Sequence, residues 1–409
     1  MRDTTASETT PEISLDRKAI FGVVCGTHFL NHFQSTMLGV IYPTMMRELG
    51  IGLIAIGTLT AAYSTIGNIF QGLYGLIAPR VKRAAILGAG NFVLGLSVLA
   101  TGFASGYPHI LATRLIGGVG SSPQHPAGSA MLATEFGAAR GRSLALHSTA
   151  GQLGGLMGPI LAALLMAYLG WRGVFWVVGA LGVLTGLSCF AFGEDKRPEV
   201  SFRAESRRAL GWKAYAKCLK NKSVLLVSLV LMVGAAGRGQ GINETYIIPH
   251  FVNDLHLDLT HAAFLFTLIQ VGSLFGPMLW GWVSDRFNRK LTIQASLFLS
   301  AVSTLWLGWQ DSISASLFAN LVFYGGAVTS RLTLTQALLS DLVEEDLYDA
   351  AFSLYYFIGF VSIPFWTVIT GGVMAKHGFG PAFTLISASY LAGMVLLSFL
   401  RKPDPLKWI

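Results

Sequence analysis

The chain has 409 residues, of which 53% are hydrophobic and only 12% are charged. Soluble domains carry about a quarter charged residues, so this composition excludes an ordinary cytosolic enzyme, a disordered chain and a secreted disulfide scaffold. The formal net charge of +8 suits a nucleic-acid-binding protein only if the basic residues are not needed elsewhere, so their positions along the chain are decisive.

Twelve apolar stretches follow one another along the chain, and about twenty apolar residues are enough for a helix to span a bilayer. The polar residues 1–18 before them lack the basic start and cleavage site of a secretory signal, so we expect the first stretch to be a retained helix. The sequence therefore predicts an all-α membrane protein. Its predicted spans are roughly 19–46, 52–78, 84–104, 107–134, 142–168, 172–193, 223–252, 260–284, 291–309, 313–340, 348–375 and 380–400.

Polar segments divide these spans into two groups of six. The predicted parts are an N-terminal tail 1–18, a six-helix bundle 19–193, a basic linker 194–222, a second bundle 223–400 and a tail 401–409. Most of the 29 basic residues lie in the tails, the linker and alternate loops, which the positive-inside rule assigns to the cytoplasm. We therefore expect a multi-pass protein of the bacterial inner membrane with both termini cytoplasmic. Topology explains most of the positive charge, and nucleic acid is not an expected partner.

The two halves repeat in sequence when one is shifted by about 206 positions against the other. The matched pairs include Gln34 with Gln240, Pro43 with Pro249, Arg83 with Arg289, and Glu135 with Asp341. Two six-helix halves in parallel repeat are typical of a transporter, whose substrate site lies near the bilayer midplane between the halves. A channel or sensor is disfavoured by this repeat. ATP-driven transport is not supported either, because a nucleotide-binding Gly-rich motif is absent from the sequence.

The loop after the eighth span carries a motif of closely spaced charged residues. Residues 281–290 read Gly-Trp-Val-Ser-Asp-Arg-Phe-Asn-Arg-Lys, and the matching loop after the second span has Pro79 where the acid would stand. This pattern resembles the loop signature of the major facilitator superfamily. The resemblance implies the twelve-helix fold of that family, in two pseudo-symmetric bundles. It also implies gating roles for Arg80, Asp285, Arg286 and Arg289.

Further motifs narrow the resemblance. Helix five carries Gly158 and Pro159 in a glycine-rich run similar to the antiporter motif, and we expect both residues to serve conformational change. The segments 28–32 and 120–126 resemble fosmidomycin-resistance transporters, a drug-resistance branch of the superfamily. The resemblance implies proton-coupled efflux by antiport. However, His32 and Ala127 stand where that branch carries acids, so anion uptake by symport, or exchange, stays an alternative.

Polar residues inside the predicted spans indicate the substrate. An ionisable side chain in hydrocarbon is costly and usually faces a cavity. The predicted spans contain three arginines but only one acid deep inside a span, Glu244. Since the arginine fork suits carboxylate and phosphonate groups, we expect a small organic anion as substrate. Arg114 and His125, eleven residues apart, are predicted to share a helix face. An ion pair of Arg238 or Arg331 with Glu244 or Asp341 is the structural alternative. The predicted substrate-binding residues are Asn31, His32, Arg114, His125, Arg238, Gln240, Arg331 and Tyr355.

Proton coupling is assigned to His28, His32 and Glu244, because histidine titrates near neutral pH and Glu244 is the one acid well inside a span. An integral-membrane enzyme using the same three residues is an alternative of another class, and His28 and His32 have metal-like spacing. No carboxylate lies beside them in sequence, so we expect a transporter and not an enzyme, without cofactor or bound metal. The three cysteines form no cluster in sequence. A monomer is expected.

Overall fold

The computed structural model describes residues 15–51, 53–192, 204–234, 247, 250–251, 254–257 and 259–400. These residues form α-helices joined by short turns and two short 3-10 segments, and no strand occurs among them. The prediction of an all-α protein is confirmed.

Eight helical segments make up the first half of the described chain and the segment that follows it. They are α1 (Leu15–Thr36), α2 (Leu38–Leu49), α3 (Leu53–Ile77), α4 (Arg83–Thr101), α5 (Tyr107–Ser121), α6 (Gln124–Phe136), α7 (Arg140–Phe192) and α8 (Ala204–Lys220). The segment labelled α7 consists of two helices that meet at Gly170, whose φ of 63° is non-helical. Helix α8 occupies much of the predicted linker 194–222, so the described part of that segment is helical.

Seven helices follow in the second half. They are α9 (Lys222–Val233), α10 (Leu259–Arg286), α11 (Arg289–Gly308), α12 (Ala315–Asp341), α13 (Tyr348–Val361), α14 (Ile363–His377) and α15 (Phe379–Ser398). Asn221, Asn288 and Ser314 begin α9, α11 and α12 as side-chain caps, each accepting a backbone N–H of the first turn.

Three predicted spans are broken helices. The first breaks at Met37, the fourth at Ser122 and Pro123, and the eleventh at Ser362. Pro123 lacks the N–H that a continuous helix needs, which explains the break in the fourth span. Five described segments are long and apolar enough to cross a membrane by length and composition. They are Arg83–Thr101, Tyr107–Ala191, Phe264–Arg286, Arg289–Gly308 and Phe379–Ser398.

Glycines set the closest approaches between helices. A Cβ added at Gly154 of α7 would overlap the carbonyl oxygen of Phe29 in α1, and one at Gly158 would overlap the Thr36 hydroxyl. Small residues that let backbones approach are typical of membrane helix packing. The predicted place of Gly158 at a tight helix contact is thus explained by sterics, whereas its role in conformational change stays a prediction.

The two halves meet at one end of the bundle, which we call the basic end. It is defined by the loop residues 80–83, the start of α7 at Arg140 and the loop residues 286–289. In the predicted orientation, this end faces the cytoplasm.

Candidate functional site

Four histidines converge in the first half of the protein. The rings of His28 and His32, one turn apart on α1, lie 4.7 Å apart between centroids at 88°. His125, in the first turn of α6, lies 5.1 Å from His28 and 5.9 Å from His32. His147 of α7 stacks on His28 at 4.0 Å. Three elements thus bring together three predicted site residues and one that the sequence analysis missed. We call these four residues the histidine cluster.

The position of the His28 ring is fixed by α7. Its Nδ1 lies 2.7 Å from the backbone carbonyl oxygen of His147. A carbonyl can only accept a hydrogen bond, so Nδ1 carries the hydrogen and Nε2 of the neutral ring keeps its lone pair. Gly151 makes room for this ring, because a Cβ there would lie 2.6 Å from His28 Cε1. A glycine of the helix-five run therefore has a second role beside helix packing.

His147 is buried, with 3% of its surface exposed. Among the residues that the structure describes, neither of its ring nitrogens has a hydrogen-bond partner. After a further shift of two residues, the sequence repeat pairs positions 147 and 355, both polar in apolar spans. That pairing was the signal that could have identified His147.

Arg331 of α12 is a deeply buried predicted binding residue, at 1% exposure. Its Nη1 donates to the carbonyl oxygen of Gly234, and its guanidinium lies 5.1 Å from the centroid of the Tyr390 ring. No carboxylate pairs with it among the described residues. The alternative of a pair with Asp341 is wrong, because Asp341 lies at the end of α12 and binds Arg140 and Arg289 instead.

A chain of polar and aromatic contacts joins Arg331 to the histidine cluster across the two halves. Thr335, one turn along α12, lies 2.5 Å from the Tyr355 hydroxyl. The rings of Tyr355 and Tyr356 lie 5.1 Å apart, and the Tyr356 ring lies 5.3 Å from that of His125.

A hydrogen-bond network also joins the two halves at Tyr356. Ser129 of α6 lies 2.9 Å from the Tyr356 hydroxyl and donates to Gln336 Oε1 at 3.1 Å. The predicted residue Tyr355 is therefore part of the contact between halves, and Tyr356, Ser129 and Gln336 were missed.

Other predicted binding residues stand apart or outside the described chain. Arg114 stacks on the Tyr63 ring at 3.9 Å. The break after α5 places His125 on a separate helix, so the single helical phase that we used to put Arg114 and His125 on one face is wrong. Asn31 is buried on α1, and its Nδ2 has no partner among the described residues. Arg238, Gln240 and Glu244 lie outside the described residues.

The loop motif of the second half closes the basic end. Asp285 accepts the backbone N–H of Arg142 at 2.9 Å, near the start of α7, where a carboxylate is stabilised by the helix dipole. Asp285 also pairs with Arg289 at 3.1 Å, and Arg289 reaches Asp341 at 2.5 Å. Asp341 binds Arg140 of the other half. Asp285 therefore contacts the first half through Arg142, whereas Arg289 contacts Asp285 and Asp341 of its own half, and the gating roles of both residues stay predictions.

The two other predicted gating arginines make local contacts. Arg286 stacks on the Trp282 ring at 4.1 Å, and Arg80 donates to the Leu76 carbonyl one turn earlier at 2.6 Å. Each of these contacts lies within one half of the protein.

At the matching position of the first half, the arginine of the basic end pairs with a different acid. Arg83 forms two hydrogen bonds with Asp349 of α13, at 2.7 and 3.2 Å. The Tyr74 hydroxyl donates to the same carboxylate at 2.9 Å. Both side chains of the ion pair are buried, at 2% and 9% exposure. With Pro79 in place of the usual acid, the acid that pairs with Arg83 comes from the other half. Asp349 was missed, although Arg83 could have been inferred from its match to Arg289.

Helix α8 reinforces this contact between the halves through Tyr215. Its hydroxyl donates to the Gly72 carbonyl, lies 2.6 Å from Ser353 Oγ and accepts the Gly75 N–H at 3.2 Å. One side chain therefore contacts both halves. Burial raises the pKa of Tyr215 to about 12, so the hydroxyl stays protonated at neutral pH.

Comparison with known proteins identifies the family of the chain. The family model described as Major Facilitator Superfamily matches residues 24–246 and 241–409. The chain is 24% identical to a "Probable L-galactonate transporter" of Escherichia coli K12, over 92% of this chain and 88% of that protein. It is 27% identical to the fosmidomycin resistance protein of the same strain, over 70% of each.

Among solved structures, the E. coli fucose:proton symporter FucP matches with a TM-score of 0.76 at 14% identity, over 94% of this chain and 98% of FucP. A structure of FucP in the outward conformation matches with a TM-score of 0.78 at 13% identity, over 94% and 99% of the two chains. The fold is therefore that of these twelve-helix proteins.

Proposed function

The chain belongs to the Major Facilitator Superfamily, and we propose that it is a proton-coupled carrier of a small organic anion. Its relatives are transporters. The proposal adds the class of substrate, the coupling ion and the residues that bind them. The single observation that carries it is the buried Arg331 guanidinium, which no described carboxylate neutralises.

Arg331 is the proposed anion-binding group. An unpaired buried charge is expensive, while a pair with good geometry offsets much of that desolvation. A carboxylate, sulfonate or phosphonate of the substrate would supply a negative charge that the described residues do not provide to Arg331, and the planar guanidinium can hold it with two hydrogen bonds. The name of the L-galactonate relative agrees with a sugar-acid class of substrate. Glu244 and Arg238, outside the described residues, stay predictions as binding or coupling partners.

The histidine cluster is the proposed site of proton coupling. Histidine changes charge near neutral pH. Protonation of the cluster would add a positive charge at one end of the chain of contacts whose other end is Arg331. Tyr355 and Tyr356 lie between the two groups. An anion that binds together with the proton would move with it by symport, whereas export by antiport requires the proton and the anion to bind in turn.

Alternating access would operate through the basic end. The contacts of Arg83 with Asp349 and of Asp285 with the start of α7 join the two halves at this end, and we propose that they hold it shut. We interpret this state as closed toward the cytoplasm, because both sets of contacts join the two halves at the basic end. Opening toward the cytoplasm would require both sets of contacts to break.

Export of the anion in exchange for protons is the direction we favour, because the helix-five motif and the fosmidomycin-type segments resemble antiporters. Uptake or exchange is the second candidate. His32 and Ala127 replace the acids of that branch, and this difference favours a different coupling scheme.

The proposal is tested first by binding. Purified protein is screened by thermal shift against organic anions that include L-galactonate and fosmidomycin, and the best ligand is then titrated. We expect Arg331→Gln to abolish binding while the protein remains folded. Lys376→Gln removes an exposed cation and should bind as the wild type does. Unimpaired anion binding by Arg331→Gln would overturn the proposal.

A further inference from the structure

We propose that His28, His32 and His125 form a binding site for a divalent transition-metal ion such as Zn²⁺. This inference rests on the geometry of three side chains and does not depend on transport. It goes beyond the proposed function because it assigns a second kind of ligand to the histidine cluster.

The three rings converge on one point. One ligand nitrogen from each ring lies within 4.8 Å of those of the other two. The rings meet almost at right angles, between 83° and 88°. In a tetrahedral zinc site with Zn–N bonds of about 2.1 Å, ligand nitrogens lie about 3.4 Å apart. Rotations that move the nitrogens by roughly 1 Å would therefore complete the site.

The contact behind His28 is the kind that supports a metal ligand. Metal-binding histidines usually donate their other N–H to a carboxylate or a backbone carbonyl, which fixes the tautomer and the ring orientation. His28 Nδ1 makes this bond to the His147 carbonyl oxygen at 2.7 Å. The lone pair of His28 therefore lies on Nε2, the other ring nitrogen.

The ligand type and the burial of the three histidines determine which ion fits the site. Imidazole nitrogens suit Zn²⁺, Co²⁺, Ni²⁺ and Cu²⁺, whereas Mg²⁺ and Ca²⁺ prefer oxygen ligands. His28 is buried, while His32 and His125 are half-buried, so the site can exchange an ion with the space that they face. Three protein ligands leave a fourth tetrahedral position for water or for a carboxylate oxygen.

Protons and metal would compete for the cluster, because a histidine must be neutral to bind a metal ion. Metal affinity should therefore fall as the pH is lowered through the range in which these histidines titrate. If the proposed function also holds, the metal would occupy the groups that carry the proton.

The experiment is a Co²⁺ titration of the full-length protein in detergent after removal of its affinity tag. Visible absorption reports tetrahedral Co²⁺, and Zn²⁺ is then added to displace it. We expect one Co²⁺ per chain, no sulfur-to-cobalt absorption from the three cysteines, and no displacement by Mg²⁺. Binding at another stoichiometry, or an absence of tetrahedral absorption, would overturn the proposal.

Variants assign the ligands. His32→Asn and His125→Asn should each weaken Co²⁺ binding by at least about tenfold. His377→Asn, at an exposed position, should leave it unchanged. His147→Asn keeps the backbone carbonyl that holds His28, so it should also bind Co²⁺. Thermal melting verifies that each variant is folded. Two ligand variants are made so that the second still tests the assignment if the first does not fold. Wild-type affinity in both, or loss of binding in His147→Asn, would contradict the assignment.

Discussion

The buried ion pair between Arg83 and Asp349 should control how often the basic end opens. Asp349→Asn would leave the Arg83 guanidinium, 2% exposed, without its carboxylate in the closed state. Breaking a buried pair by removing one partner costs about 3–5 kcal/mol. In a state open to the cytoplasm, water can solvate Arg83 and most of this cost disappears. The equilibrium should therefore shift toward opening by at least about a hundredfold, since 1.4 kcal/mol corresponds to a factor of ten.

The assay is a distance measurement across the basic end. Spin labels are placed at Val81 and Phe287, exposed positions in different halves with 40% and 68% exposure, after replacement of the three native cysteines. We expect a short distance in the parent protein and a larger fraction of molecules with a longer distance in Asp349→Asn. Glu344→Gln is the matched control, because Glu344 pairs with Lys217 at an exposed site and exposed pairs contribute about 1 kcal/mol or less.

A double variant separates loss of the pair from general damage. Replacing both partners removes the uncompensated charge, so Arg83→Gln combined with Asp349→Asn should return part of the population to the short distance. A distance distribution in Asp349→Asn identical to that of the parent would refute the role of this pair as the main lock of the basic end.

The remaining predictions concern packing and pH. Gly154→Ala should lower the melting temperature by a shift equivalent to about 1–3 kcal/mol, because its Cβ would overlap the Phe29 carbonyl. Gly155→Ala should leave the melting temperature unchanged, since the nearest atom to its Cβ is 3.8 Å away. Equal melting of the two variants would contradict this packing. The pKa of Tyr215 is raised from 10.0 to about 12, so its contribution to the closed state is complete below pH 10 and is lost as the pH rises toward 12. The same spin-label distance, followed against pH, should lengthen in that window in the parent and show no such step in Tyr215→Phe.

Hydropathy alone predicted the helical fold, because about twenty apolar residues have no other stable form in a bilayer. It could not place the helix breaks. Pro364, in the first turn of α14, is a sequence signal for the break at Ser362, whereas Met37 is an ordinary residue in an apolar run whose conformation depends on the packing around it. The break after α5 puts Arg114 and His125 on separate helices, so the periodicity of one helix, from which a common face was predicted for them, does not apply.

The contact of His28 with His32 followed from their spacing of four residues on one helix. His147 and Asp349 could not be found in this way, because their partners lie 119 and 266 residues away in sequence. Such contacts depend on how helices pack. The loss of an acid at Pro79 was visible in the sequence, but its replacement by Asp349 from the opposite half required the structure.

The most direct test of the account is transport by purified protein in liposomes. Radiolabelled L-galactonate, or the best ligand of the thermal-shift screen, is followed with and without an imposed pH gradient. The account predicts that the gradient drives accumulation of the anion against its own concentration gradient, and that Arg331→Gln abolishes it. The direction of the gradient that drives movement distinguishes export by antiport from uptake by symport. Transport that is indifferent to the pH gradient, or that persists in Arg331→Gln, would contradict the account.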